Sequence, residues 1–132
     1  RKMRIEKLAG FVASQAPANA PVYKICDAAL WREAEAAGRF TGAEIDLKDG
    51  YIHFSTATQA KETARRHFNG REGLVFVAID TSKLNMVWEP SRGGDLFPHL
   101  YDALPVETAI SITPMHPDAD GTPVPVGGFP AS

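Results

Sequence analysis

The sequence predicts an α+β domain with short strands and two principal helices. Three observations predict it. The run "LVFVAID" at residues 74–80 is apolar on both faces, as a central strand is. Two stretches, following Asp27 and Thr56, carry apolar or small residues at helical spacing between a capping residue and a glycine. The other apolar segments are short, alternate with period two, and are bounded by glycine and proline.

The elements follow in order. "PVYKI" is a strand that sends Val22 and Lys24 to one face and Tyr23 and Ile25 to the other. Asp27 caps the first helix, Gly38 ends it, and Leu30, Trp31, Ala34 and Ala37 form its buried stripe. "FTGAEIDLKDG" reads as a loop with turn residues at both ends. In "YIHFS", Ile52 and Phe54 make the core face, and Tyr51, His53 and Ser55 the opposite one. Thr56 with Gln59 forms a capping box, so the second helix starts at once, with Ala60, Ala64 and Phe68 inward and Gly70 at its end. After the central strand, "TSKL" is a turn and "MVWE" a short strand. "PSRGGDLFPHLYDAL" holds Gly93, Gly94 and Pro98 and reads as a long irregular loop, the kind that often carries function. Pro105 opens a helical turn, and "AISITPM" is a last strand ended by Pro114.

The 132 residues suit one domain. We expect an N-terminal extension over residues 1–20, the domain over 21–115, and a Pro/Gly-rich tail over 116–132 too broken by proline to hold a regular ladder. The basic, alanine-rich start resembles a secretory signal only loosely, because its apolar stretch is short and holds Gly10. Composition is 44% apolar and 23% charged, and the net charge of −2 gives no support for bulk nucleic-acid binding. No apolar run reaches membrane-spanning length. With a single cysteine, neither an internal disulfide nor a multi-cysteine zinc site can form, and a reducing cytoplasm is the expected location. His53, His67, His99 and His116 show no metal-ligand spacing, so no metal is expected. Cys26, at a strand end, reads as a small buried residue rather than a nucleophile.

The stretch "GYIHFSTATQAKETARRHFNG" concentrates the chemistry. Tyr51, His53 and Ser55 form a row of hydrogen-bonding groups that runs into a helix N-terminus. The free N–H groups of Ala57 and Thr58, with the Ser55 and Thr56 hydroxyls, suit an anion such as phosphate. Arg65 and Arg66 read as a solvated helix face or as phosphate contacts.

Two resemblances bear on these residues. "YIHFSTATQAKETARRHFNGREGLVFVAID" resembles the second motif of the ADP-ribosyltransferase-like superfamily. It is especially similar to the bacterial RNA 2'-phosphotransferases, where V-H-L-S precedes a helix and an apolar strand ending in Asp. From Val22 to Met115, through "VYKICDAALW", "GYIHFSTATQ" and "WEPSRGGDLFPHLYDALPVETAISI", the chain is still more similar to the domain of unknown function 952 family. Within that match "FPHLY…LP" is the most specific part. The resemblance implies split, strongly curved antiparallel sheets around a cleft, with NAD as cofactor, and brings no established reaction. It makes His53 and Glu89 the catalytic candidates. His53 and Ser55 would orient a nicotinamide ribose, Phe97 or Tyr101 would stack the ring, and Glu89 would stabilise positive charge on the departing ribose. The chain departs from the phosphotransferases at the first strand, where Lys24 stands in place of their His-Gly-Thr histidine, and their paired arginines are not recognisable by spacing. Glu107 is the other, weaker glutamate candidate.

His99, flanked by Phe97 and Tyr101, is the remaining candidate, with a solvated loop histidine as the plain alternative. The expected site is thus a cleft lined by Lys24, Tyr51, His53, Ser55, Thr56, Phe97, His99 and Tyr101 that holds a nucleotide or another phosphate-bearing small molecule, with His53 and His99 sharing one pocket. The competing expectation is a module that kept the fold, lost the chemistry, and binds a small ligand or a protein.

Overall fold

The computed structural model describes residues 20–91 and 93–131. Apart from Ala20, the expected N-terminal extension lies outside the described residues. The elements run β1 (Val22–Asp27), α1 (Ala28–Ala37), β2 (Arg39–Phe40), α2 (Glu44–Asp49), β3 (Ile52–His53), α3 (Ala60–His67), β4 (Leu74–Ile79), β5 (Val87–Ser91), β6 (Asp95–Leu100), β7 (Leu104–Pro105), a 3-10 turn (Val106–Thr108), β8 (Ala109–Pro117) and β9 (Pro123–Pro125). The strands form curled antiparallel sheets in the orders β1-β4-β8-β9, β3-β6-β5 and β2-β7. A backbone bridge between Tyr23 and Ser55, with N–H to carbonyl bonds of 2.8 and 2.9 Å, ties β1 to the end of the β3 segment.

β4 is central, as its doubly apolar sequence requires: it lies between β1 and β8, and all six residues are buried. Its two faces feed two cores. On one side Val22, Cys26, Val75, Val77 and Ile79 pack with Trp31 and Ala34 of α1, Ile52 and Phe54 after it, and Leu100. On the other, Tyr23, Ile25, Phe76 and Ala78 pack with Ala60 and Ala64 of α3 and with Met115. The alternation of β1 therefore puts Lys24 on the first, apolar side, where it is only 4% exposed. Burial of a cation there is costly without a partner, and that cost dictates much of the site.

The structure corrects several sequence expectations. α1 ends at Gly38 with the left-handed φ of 87° expected of it, but Ala37 is exposed, and Asp27 pairs with Arg71 at 2.8 Å instead of capping the helix. The Thr56–Gln59 capping box forms: each side-chain oxygen accepts from the other's N–H, at 3.1 and 3.2 Å. The first turn is nonetheless irregular, and α3 begins only at Ala60. The stretch read as a loop before Tyr51 contains a third helix, α2, too short for helical periodicity to register. The stretch read as a long loop after Glu89 is a β-hairpin, turning through Gly93 and Gly94 at φ 80° and 98°. Pro98 lies within β6, the middle strand of its sheet, and its carbonyl accepts the Phe54 N–H at 3.1 Å. Finally, β8 runs through Pro114 to Pro117, and β9 pairs with it from Pro117↔Pro123 to Met115↔Pro125. The proline-rich segment thus holds a short ladder after all, on the edge of its sheet where missing N–H groups cost little.

Candidate functional site

The site is organised by Asp46, a residue in the stretch that the sequence marked only as loop. Its carboxylate is 2% exposed and takes every donor in reach. Lys24 Nζ donates to both oxygens, at 2.9 and 2.8 Å, and the Ala43 N–H donates at 2.7 Å. The His53 N–H donates at 3.0 Å, and His53 Nδ1 lies at 2.6 Å. Burial disfavours the charged carboxyl, but His53, Lys24 and the Ala43 N–H outweigh it and hold Asp46 down at about 2. Burial pushes the Lys24 ammonium down, opposed by Asp46. The Lys24 ammonium also donates to the His53 carbonyl at 2.9 Å. Gly42 makes room for this arrangement: at φ 125°, a Cβ there would stand 2.9 Å from Asp46 Cβ.

His53 is thereby fixed at backbone and ring. Its Nε2 lies 2.9 Å from Asp49 Oδ2 at the end of α2, so both ring nitrogens meet carboxylates. Across the ladder it pairs with His99, and the two imidazoles sit edge to face with centroids 5.5 Å apart. Tyr51 packs on both, stacking on His99 at 4.1 Å and tilting over His53 at 4.6 Å, with Tyr101 beyond at 5.2 Å. His99 Nδ1 lies 2.7 Å from Glu89 Oε1, and the Tyr101 hydroxyl donates to the same oxygen at 2.7 Å. Burial lowers the His99 pKa, with Glu89 opposing.

These side chains border a cleft of about 650 Å³. Lys24, Tyr51, His53, Ser55, Phe97 and His99 all line it, so the expected juxtaposition of the two histidines is present. The Ser55 hydroxyl lies 2.8 Å from that of Thr63, which also lines the cleft, as do Arg66 and Arg71. Four of the candidate residues stand elsewhere. Thr56 spends its hydroxyl and N–H on the capping box, and neither it nor Ala57 and Thr58 line the cleft. Tyr101 and Glu89 lie behind His99 rather than on the wall. Glu107 is exposed in the 3-10 turn. Cys26 is buried, and burial pushes its thiol up to about 12, which leaves no thiolate for nucleophilic work.

Sequence reasoning missed Asp46 and Asp49. The available signal was "EIDLKDG" just before the histidine strand: two acids three apart on one helical turn.

Residues 25–112 match the family model described as "Protein of unknown function (DUF952)". The chain belongs to the DUF952 family. Among solved structures, this DUF952 chain is similar to the crystal structure of protein CC0527 from Caulobacter crescentus. The identity is 44% over 78% of this chain and 92% of that one, with a TM-score of 0.75. The solution NMR structure of CC0527 agrees, with 45% identity over 78% and 90% of the two chains and a TM-score of 0.71. Comparison with the curated proteins finds no match.

Proposed function

We propose that this DUF952 domain has an ADP-ribosyltransferase-like fold and that its cleft binds a nucleotide or another phosphate-bearing ligand. One observation carries the reading: His53, His99 and Tyr51 form a single aromatic cluster on the wall of a cleft whose lining also includes Arg66 and Arg71. A flat ring suits the aromatic end. The cationic end lies near Asp27, which pairs with Arg71, three residues along β1 from Lys24, a separation of about 10 Å. Guanidinium groups recognise phosphate there. Lys24 does not serve that purpose, because it is buried and Asp46 and the His53 carbonyl take its donors, whereas Arg66 and Arg71, though paired with Glu62 and Asp27, are about half exposed and keep further N–H groups. Ser55, beside Thr63, supplies a hydroxyl to the ligand between the two ends.

The second reading is NAD-dependent transfer, favoured by the carboxylate-oriented imidazole of His99 beside His53. Two features weigh against it. The lysine in the first-motif position cannot accept a hydrogen bond as an imidazole does. Glu89, the candidate stabiliser of ribose charge, is directed to His99 and Tyr101 and does not line the cleft. A thermal-shift series with NAD, ADP-ribose, AMP and 2'-phosphorylated RNA tests both readings. A ligand at a hundred times its Kd stabilises by about 2.7 kcal/mol, enough to raise the melting temperature measurably. No shift with any of the four contradicts the nucleotide reading.

A further inference from the structure

We propose, resting on the nucleotide reading above, that His99 Nε2 is the hydrogen-bond acceptor for a ribose hydroxyl of the bound nucleotide, with Glu89 as the positioning residue that keeps this nitrogen bare. His99 is 4% exposed, yet it lines the cleft. Its Nδ1 is committed to Glu89 at 2.7 Å. A carboxylate offers no proton, so Nδ1 carries the ring hydrogen and donates it. No described protein group bonds Nε2, and no fully buried side-chain nitrogen or oxygen is left without a partner. Nε2 therefore keeps accessible surface, and because His99 lines the cleft this lone-pair acceptor faces whatever binds there. Burial lowers the His99 pKa, which favours the neutral ring that keeps that lone pair.

The surroundings fix the ring as well as the proton. Tyr51 covers its face at 4.1 Å, and His53 meets it edge-on at 5.5 Å. The charged and titratable groups around it are Glu89 on β5, His53 on β3, Asp49 at the end of α2, and the phenols of Tyr51 and Tyr101. Glu89 itself is steadied by the Tyr101 hydroxyl, which donates to the same oxygen that faces His99. A bare acceptor in such a pocket favours a ligand that brings a donor and penalises one that does not, because an unpaired buried lone pair is left dry. On a nucleotide placed with its ring against Tyr51 and its phosphate toward Arg66 and Arg71, the donors that lie between ring and phosphate are the ribose hydroxyls.

Two measurements test the inference. Long-range 1H–15N spectra of the free protein at neutral pH read the His99 tautomer directly. The expected state has the proton on Nδ1, and Glu89→Gln, which removes the charge that fixes it, moves population toward the Nε2–H form. Calorimetric titration then compares AMP with 2'-deoxy-AMP and 3'-deoxy-AMP. One of the deoxy analogues binds roughly tenfold more weakly than AMP. Glu89→Gln weakens AMP by a similar factor while barely changing that analogue. A proton found on Nε2 in the wild type overturns the inference by itself. So does AMP binding that is indifferent to both missing hydroxyls or to Glu89→Gln, while the nucleotide reading survives. Failure of AMP and both analogues to bind overturns the nucleotide reading and the ribose assignment with it, whatever the tautomer.

Discussion

Asp46 takes hydrogen bonds from a buried ammonium, two backbone N–H groups and an imidazole, so its replacement orphans several donors at once. Asp46→Ala leaves Lys24 as an uncompensated buried cation, and we expect a loss of about 3–5 kcal/mol in urea unfolding. Lys24→Met is expected to cost less, because the carboxylate keeps its other donors; the reverse ranking would show that the ammonium, not the carboxylate, organises the site. The pH dependence follows the same residue. Its folded pKa of about 2 lies below the ordinary 3.8, so its contribution is fully present above about pH 4 and is lost as pH falls through 2. That shift is worth about 2 kcal/mol, visible as a steeper acid limb in the wild type than in Asp46→Asn. At this scale the sequence was informative where the period-two pattern of β1 sets Lys24 on one face with Val22 and Cys26, and Tyr23 and Ile25 on the other. It was silent on Asp46, whose role arises from a tertiary approach between α2 and β1 that no local pattern encodes.

The elements that were legible are those with a strong local signature. α1 and α3 show buried residues at helical spacing, Trp31 with Ala34 and Ala60 with Ala64, and β4 is apolar throughout. Those that were not are the ones in which a local breaker is overridden by pairing. Gly93, Gly94 and Pro98 look like loop, yet the glycines make the hairpin turn and Pro98 pairs in register with Trp88. The same holds for β8 and β9: the prolines of β9 lie on an edge strand, and β8, between β4 and β9, runs on through Pro114 to Pro117. Two predictions belong here. Phe129 packs edge-on against Phe76 at 5.6 Å, so Phe129→Ala should cost about 1–3 kcal/mol in denaturant unfolding if the C-terminal segment is part of the fold. An unchanged midpoint would mark it as an appendage. Gly42→Ala forces a positive φ on alanine and a Cβ onto Asp46. We expect a loss of about 1–3 kcal/mol, accompanied by movement of the His53 ring signals. Loss of stability without any change at His53 would separate α2 from the site.

Across the whole molecule, the two faces of the β1-β4-β8-β9 sheet are both covered, and the second sheet brings its histidine pair to the cleft opened beside β1. No helix among the described residues is long and apolar enough to cross a membrane. The cleft could be anticipated from "YIHFS" and "FPHLY", but the carboxylates behind it could not, because the register that sets Glu89 beside His99 belongs to a hairpin read as loop. With Lys24 neutralised and Glu89 turned away from the cleft, we expect no NAD hydrolysis above background; turnover abolished by Glu89→Ala would restore the transferase reading. The central claim is that a nucleotide occupies the cleft between the histidine pair and the arginines. An NMR titration of the 15N-labelled protein with AMP tests it most directly. The account predicts saturable shifts concentrated at Tyr51, His53, Ser55, His99, Arg66 and Arg71, and roughly tenfold weaker binding in His99→Ala. Shifts confined to other surfaces, or none at millimolar AMP, would contradict it.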